Sequence, residues 1–414
     1  MPEPRPPQLL VLLHDTHVAS LTQRGAAAPI RLTHTGAALE TWPRNTPLLS
    51  CSLPLTGRPV NATAFLDGFL PEGDARARIA ADRNIAAGDT YLLLAELGRD
   101  IAGAVQIVTD DATHRAPSVE PYTHDTLTER VLRLPAEPLA ITDDSELSLA
   151  GLRDKMTLVA TEDGWGRPVN GYPSTHILKV EDRAYPGMAD LEAACLHVAR
   201  QVGLTTIDAH TETIADIPCL IVSRFDRATD TDGTVVRVHQ EDLCQATGID
   251  AARNRGRARY QRHGGPSYRQ AAELLRRHAR NPEAQLERLV TAMVFTVLIG
   301  NADAHGKNHA LLHPAPGEVE LAPLYDTVPT VLWPKLKRRC ALEINGVFED
   351  LDHVTHTDLV AEVAGRRQWG LPPATAERAI DDAIGRVVDA ARALELPDKL
   401  SSHVTRAAER LARS

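Results

Sequence analysis

The sequence predicts an α+β chain in three parts. Its 414 residues exceed the size at which a single hydrophobic core stops growing. The first hundred residues alternate short apolar runs with Gly, Pro and Asn turn signals, whereas the chain beyond His239 runs in long segments with apolar residues three or four apart. The order read from this is a small β-rich domain at 1–110, a mixed lobe at 141–238 and a helical lobe at 239–414.

Taken in order, Leu9–Leu13, Val18–Leu21 and Ile30–Leu32 read as strands, and apolar spacing predicts helix from Ala64 to Ile79 and again from Thr90 to Leu97. The segment 110–140, rich in Thr, Pro and charge, reads as a linker. Met156–Ala160, Thr175–Val180 and Cys219–Val222 read as strands, with a helix over Leu191–Val202 between the last two. Helices are then expected over Tyr268–Arg280, Ala284–Gly300, His356–Ala364, Ala374–Leu394 and Leu400–Ala412.

Composition bounds the function. Fifty-five acidic against 45 basic side chains give a formal charge of −10, against a surface built to coat nucleic acid. No apolar run approaches the roughly 18 residues of a membrane span, so a protein with no membrane partner is expected. The five cysteines form no CxxC pair and read as buried thiols of a reducing, cytoplasmic compartment, and the scattered histidines offer no ligand spacing for a transition metal. The basic run Arg253–Arg262, with Tyr260 its one aromatic, reads as a solvated loop.

The sharpest local signal is Gly300-Asn301-Ala302-Asp303-Ala304-His305-Gly306-Lys307-Asn308, a polar run at the end of an apolar helix. Asp303 and Asn308 have the D-x-x-x-x-N spacing by which a kinase loop sets a base beside a metal-binding amide, and Asp326 follows as a second acid suited to Mg²⁺. Lys179 is the single Lys of an apolar strand, the pattern of a lysine that reaches ATP phosphates, and Glu192, 13 residues on near a helix start, reads equally as its partner or as an acid that complements the helix dipole. Upstream, the small residues of Ser148-Leu149-Ala150-Gly151-Leu152-Arg153-Asp154-Lys155 form a turn whose N–H groups could approach phosphate oxygens.

With these pieces, Phe65-Leu66-Asp67-Gly68-Phe69-Leu70-Pro71-Glu72-Gly73, Arg224-Phe225-Asp226-Arg227, His239 to Gln245, Gly264-Gly265-Pro266 and Ile344-Asn345-Gly346 make the chain resemble the HipA serine/threonine kinases, the toxins of HipBA-type toxin–antitoxin modules, over nearly its whole length. The resemblance implies a protein-kinase-like fold with an added N-terminal β-rich domain, ATP and Mg²⁺ as cofactors, and a seryl or threonyl acceptor, which in characterised relatives belongs to an aminoacyl-tRNA synthetase. It implies Asp303 as catalytic base and Asn308 and Asp326 as metal ligands. It places Ala150, Gly151, Leu152, Arg153, Asp154, Lys155 and Lys179 at the phosphates, and Ser223, Arg224 and Phe225 at the adenine hinge. His305, Gly306, Lys307, Asn308, Tyr325 and Asp326 would complete the pocket. Ser148 matches the family's autophosphorylated serine, with Ser145 its nearest competitor.

Departures are Ser223 where Glu is frequent, Arg153 where Gln is common, and Leu191 rather than Asn before Glu192. The acidic Phe348-Glu349-Asp350-Leu351-Asp352 stands where some relatives carry lysine-rich DNA-contacting residues, which puts direct DNA contact in doubt. The expected partner is a HipB-like DNA-binding antitoxin. Two other readings stand beside the toxin kinase: a kinase-like co-repressor acting by binding, and a small-molecule kinase on the same scaffold.

Overall fold

A computed structural model describes residues 5–109, 116–134, 154–365 and 368–413. Its first module is an antiparallel sheet in the order β4-β3-β2-β1-β5, built from β1 (Leu9–Leu13), β2 (Thr16–Thr22), β3 (Arg31–His34), β4 (Val60–Asn61) and β5 (Val105–Val108). Leu9, Val11 and Leu13 alternate inward along β1. The β1–β2 hairpin turns on His14 and Asp15, both at positive φ, the twist that suits paired strands. Over the sheet lie α1 (Gly36–Thr41), α2 (Thr63–Asp67), α3 (Gly73–Asp82) and α4 (Thr90–Leu97). The single helix expected over Ala64–Ile79 is therefore two. Gly68 ends α2 where a Cβ would lie 2.8 Å from the Gln245 side chain, and Pro71 and the left-handed Gly73 prevent direct continuation.

Of the stretch read as a linker, the described residues 116–134 form regular structure. Within them β6 (Ser118–Pro121) pairs with β8 (Gly164–Val169), and α5 (His124–Arg133) starts at a Thr123–Thr126 capping box and buries Leu127 and Val131. The charge that hid this helix lies on its outer face, while the two apolar residues four apart and Leu134 join a core with Met156, Leu158 and Leu178.

The middle sheet runs β10-β11-β9-β7-β8-β6, with β7 (Lys155–Thr161), β8 (Gly164–Val169), β9 (His176–Val180), β10 (Ala209–Ile214) and β11 (Ile217–Ser223). Helix α6 (Met188–Gln201) packs on β10 and β11. A hairpin of β12 (Arg227–Thr229) and β13 (Val235–Arg237) leads into the last part.

That part is not purely helical. Strands β14 (Gln240–Asp242), β15 (Ala310–Leu312) and β16 (Glu320–Leu321) form a small sheet at its entrance. The helices are α7 (Leu243–Thr247), α8 (Arg253–Gly256), α9 (Tyr268–His278), α10 (Pro282–Ile299), α11 (His356–Val363), α12 (Pro373–Ala393) and α13 (Asp398–Ala412). From Leu289 to its end, α10 is buried on every side, and α9, α12 and α13 pack around it. It stops at Gly300, at φ 77°, where a Cβ would meet Val331 Cγ2 at 2.2 Å. Only glycine fits there, and the reversal throws the polar run 301–308 toward the middle sheet.

The first module is clamped to the rest by buried polar contacts. Glu241 accepts hydrogen bonds from Ser50 Oγ at 2.5 Å and from the Cys51 N–H at 2.8 Å, and meets His313 Nε2 at 2.9 Å. Cys51, Glu241 and His313 bring ligand atoms within 4.8 Å of one another. The bonds from Ser50, Cys51 and His313 satisfy the Glu241 carboxylate and tie the first module to the last part. Among the described residues no helix is long and apolar enough to cross a membrane.

Candidate active site

A cleft opens between the middle sheet and the helical part, with the first module reaching its rim through Gly68 and Glu72. On the sheet side, Lys179 of β9 stands directly opposite Lys155 of β7, and both line the cleft. Like charges facing each other across a strand pair repel, so the arrangement calls for negative partners. Lys179 Nζ has two: it donates to Glu192 Oε1 at 2.7 Å and to Asp326 Oδ1 at 2.8 Å. Glu192 sits in the first turns of α6 with its side chain fully buried, and Asp326 is left-handed at φ 55°. A non-glycine residue held there carries strain of about 1–3 kcal/mol, which its surroundings must offset. Here Asn301 Nδ2 and the Val328 N–H both donate to the Asp326 carbonyl.

Opposite stands Asp303. Its N–H donates to Asn301 Oδ1 at 3.1 Å, and its carbonyl accepts from Asn308 Nδ2 at 3.0 Å. The five-residue spacing thus closes a loop that leaves the Asn308 amide oxygen available to a cation. Asp303 is open to the cleft, yet the protein mass around it raises its carboxyl above the usual range, while a hydrogen bond from Tyr260 at 2.6 Å pulls it down. His305, buried beneath, is kept neutral first by burial and then by the Arg259 charge. Gly306 is required: a Cβ would lie 2.2 Å from the Pro266 ring, so the Gly-Gly-Pro segment packs directly on this loop.

The remaining residues singled out from sequence divide. Phe225 stacks on Tyr325 with centroids 5.3 Å apart, and the Tyr325 hydroxyl donates to the Lys307 carbonyl. Ser223 Oγ accepts from the Asp208 N–H. Arg224 borders the cleft, but its guanidinium faces the first module, bonding Asp226, Ser174 Oγ and the Ile101 carbonyl. Lys307 reaches the cleft with its charge already engaged. Burial opposes that charge, but Asp242 and Glu72, at 3.6 and 3.3 Å, outweigh burial and hold the ammonium above its ordinary pKa. The Asp154 carbonyl accepts from the Val180 N–H. Ala150, Gly151, Leu152, Arg153, Ser148 and Ser145 lie outside the described residues.

Sequence reasoning assigns no site role to Tyr260, Arg259, Asn301, Asp242 or Glu72, although the last three lie in the motifs singled out above. The first two lie in the basic run taken for a solvated loop. Arg259 is instead half-buried on Glu72, and Tyr260 touches Asp303. The signal was the lone aromatic in that run.

Residues 9–108 match the family profile of the HipA N-terminal domain, and residues 147–391 that of the HipA-like C-terminal domain. Y4mE of Sinorhizobium fredii, which bears the name of a kinase, is 34% identical over 379 residues, covering 86% of this chain and 89% of that protein. The serine/threonine-protein kinase toxin HipA of Shewanella oneidensis is 28% identical over 311 residues, 73% of this chain and 71% of that protein. Among solved structures, HipA from the Shewanella oneidensis complex of HipA, HipB and operator DNA superposes with a TM-score of 0.80 at 24% identity, covering 98% of this chain and 96% of that one. The α+β kinase-like fold expected from sequence is the fold observed.

Proposed function

This chain belongs to the HipA family, and we propose that it is a serine/threonine-protein kinase that uses ATP with Mg²⁺. The observation that carries the reading is the meeting of Lys179, Glu192 and Asp326 with Asp303 and Asn308 across one cleft. Phosphoryl transfer needs positioned charge more than covalent help from the protein, and these residues supply it. Ile177, Leu196, Ile207 and Val222 offer an apolar surface for the purine beside the Phe225–Tyr325 stack. Because the Arg224 side chain points away, hinge contacts there fall to the backbone. Lys155 and Lys179 hold phosphate oxygens, joined by the segment 150–154.

The donor set fits a hard cation. Among the described residues the cleft is lined by five basic side chains (Lys155, Lys179, Arg224, Arg259, Lys307) and six acidic ones (Glu72, Glu192, Asp226, Asp242, Asp303, Asp326), so it lacks the surplus positive charge that a triphosphate requires. Asp326 and Asn308 offer the carboxylate and amide oxygens that Mg²⁺ prefers, and the ion would supply charge neutralisation at the phosphates. Asp303 takes the proton of the acceptor hydroxyl as that oxygen bonds to the γ-phosphorus and the bond to ADP breaks.

In the cell, the reading extends to the toxin of a type II toxin–antitoxin pair, with a HipB-like DNA-binding antitoxin as partner, an aminoacyl-tRNA synthetase as acceptor and Ser148 as the self-modified residue. Family membership supports this, as does the likeness to a protein named a kinase toxin. Titration of the purified chain with ATP should show Mg²⁺-dependent binding that Lys179→Met weakens at least tenfold. Tryptic peptides of ATP-treated protein should carry phosphate on Ser148. Binding indifferent to both Mg²⁺ and Lys179, or phosphate on Ser145 alone, would overturn the corresponding part.

A further inference from the structure

Tyr260 lies 43 residues from Asp303 in the chain, on a loop whose sequence looks made for solvent, yet its hydroxyl donates to Asp303 Oδ1 at 2.6 Å. The direction is fixed: burial, and then the Asp303 charge, raise the phenol far above its ordinary range, so it stays protonated and the carboxylate accepts. The ring is itself held. His305 meets it edge to face at 5.2 Å, and the Arg259 guanidinium lies 5.4 Å from its centroid. Arg259 is anchored in turn by Glu72 of the first module.

The backbone around the ring is equally constrained. The N–H groups of His263 and Gly265 both donate to the Tyr260 carbonyl, and the Gln261 N–H donates to the Ala341 carbonyl. At the head of the loop, Asn254 Nδ2 donates to the His263 carbonyl at 3.1 Å. A half-buried tyrosine held by these ring and backbone contacts and aimed at one carboxylate oxygen differs from a chance surface contact.

We propose that Tyr260 is the positioning residue of the catalytic base: its hydroxyl clamps one oxygen of the Asp303 carboxylate and leaves the other to take the proton of the acceptor hydroxyl. The inference rests on the kinase reading and adds to it a residue outside the 301–308 loop, tied through Arg259 to the first module. Without the clamp the carboxylate can rotate about its Cβ–Cγ bond, so fewer encounters present an oxygen to the acceptor. ATP binding, made elsewhere in the cleft, is untouched.

The test is the first-order rate of self-phosphorylation with radiolabelled ATP and Mg²⁺, measured against ATP concentration for wild type, Tyr260→Phe and Asp303→Asn. Tyr260→Phe keeps the ring and removes only the hydroxyl. Its rate at saturating ATP should fall about ten- to a hundredfold, the range of one hydrogen bond to a charged group. The half-saturating ATP concentration should stay within about twofold, because no contact to the phosphates or to the purine changes. A merely structural role would instead lower the thermal midpoint and leave the rate per folded molecule unchanged, so unfolding is recorded on the same samples. An unchanged rate, or a faster one showing that the hydroxyl competes with the acceptor, would overturn the clamp while Asp303→Asn, if silent, still upholds the kinase reading. A wild-type protein that incorporates no phosphate would overturn both.

Discussion

Asp226 illustrates how charge holds this molecule together below the level of the site. Its carboxylate is bidentate to Arg224 at 2.9 and 2.8 Å, pairs with Arg227 at 3.1 Å and accepts from the Gly103 N–H of the first module. Burial alone would raise its pKa, but Arg224 and then Arg227 outweigh burial and hold the carboxyl well below the usual range. Removing one partner of such a buried network leaves guanidinium charge uncompensated, so Asp226→Asn should lower stability by about 3–5 kcal/mol in urea unfolding at neutral pH. The sign of the pH dependence follows from the depressed pKa. The stabilisation is complete above the unfolded carboxyl pKa of about 3.9 and disappears as pH falls below it. The margin between wild type and variant should therefore shrink below about pH 4. A margin constant from pH 7 to pH 3 would contradict the assignment.

At the scale of elements, the helix-to-loop passage from α10 into residues 301–308 was the most legible feature of the sequence. A long apolar helix stopped by Gly300 and followed by polar residues can only deliver those residues to one place. Gly300→Ala tests that passage, since it combines a left-handed backbone with a Cβ 2.2 Å from Val331 Cγ2 and 2.6 Å from His403 Nε2. Left-handed strain and overpacking together should destabilise by about 2–5 kcal/mol. An alanine variant as stable as wild type would mean that the cap is not needed. The Lys179–Glu192 pair was also legible, because strand and helix are neighbours in sequence and 13 residues suffice to span the turn between them. What was not legible came from distance or from disguise. Tyr260 reaches Asp303 only through the tertiary fold, α5 hides two buried apolar residues among charges, and Arg224 turns from the hinge because acids in the first module and just beyond it attract it.

On the scale of the whole molecule, the cleft is a product of all three parts. The middle sheet supplies Lys155 and Lys179, the helical part supplies Asp303, Asn308 and Asp326, and the first module supplies Glu72, which fixes both Arg259 and Lys307. The first module has a hydrophobic cluster of its own, whereas α6 of the middle part shares the large cluster of the helical part, and the polar contacts that join the parts are made by residues far apart in sequence, which periodicity does not report. The central claim is that this shared cleft transfers phosphate with Asp303 as base. It is tested most directly by incubating wild type and Asp303→Asn with ATP and Mg²⁺, following phosphate incorporation while nucleotide binding is titrated on the same preparations. The account predicts incorporation by wild type and, in the variant, binding within a few-fold of wild type with incorporation reduced by at least about a hundredfold. Equal incorporation by both would contradict it.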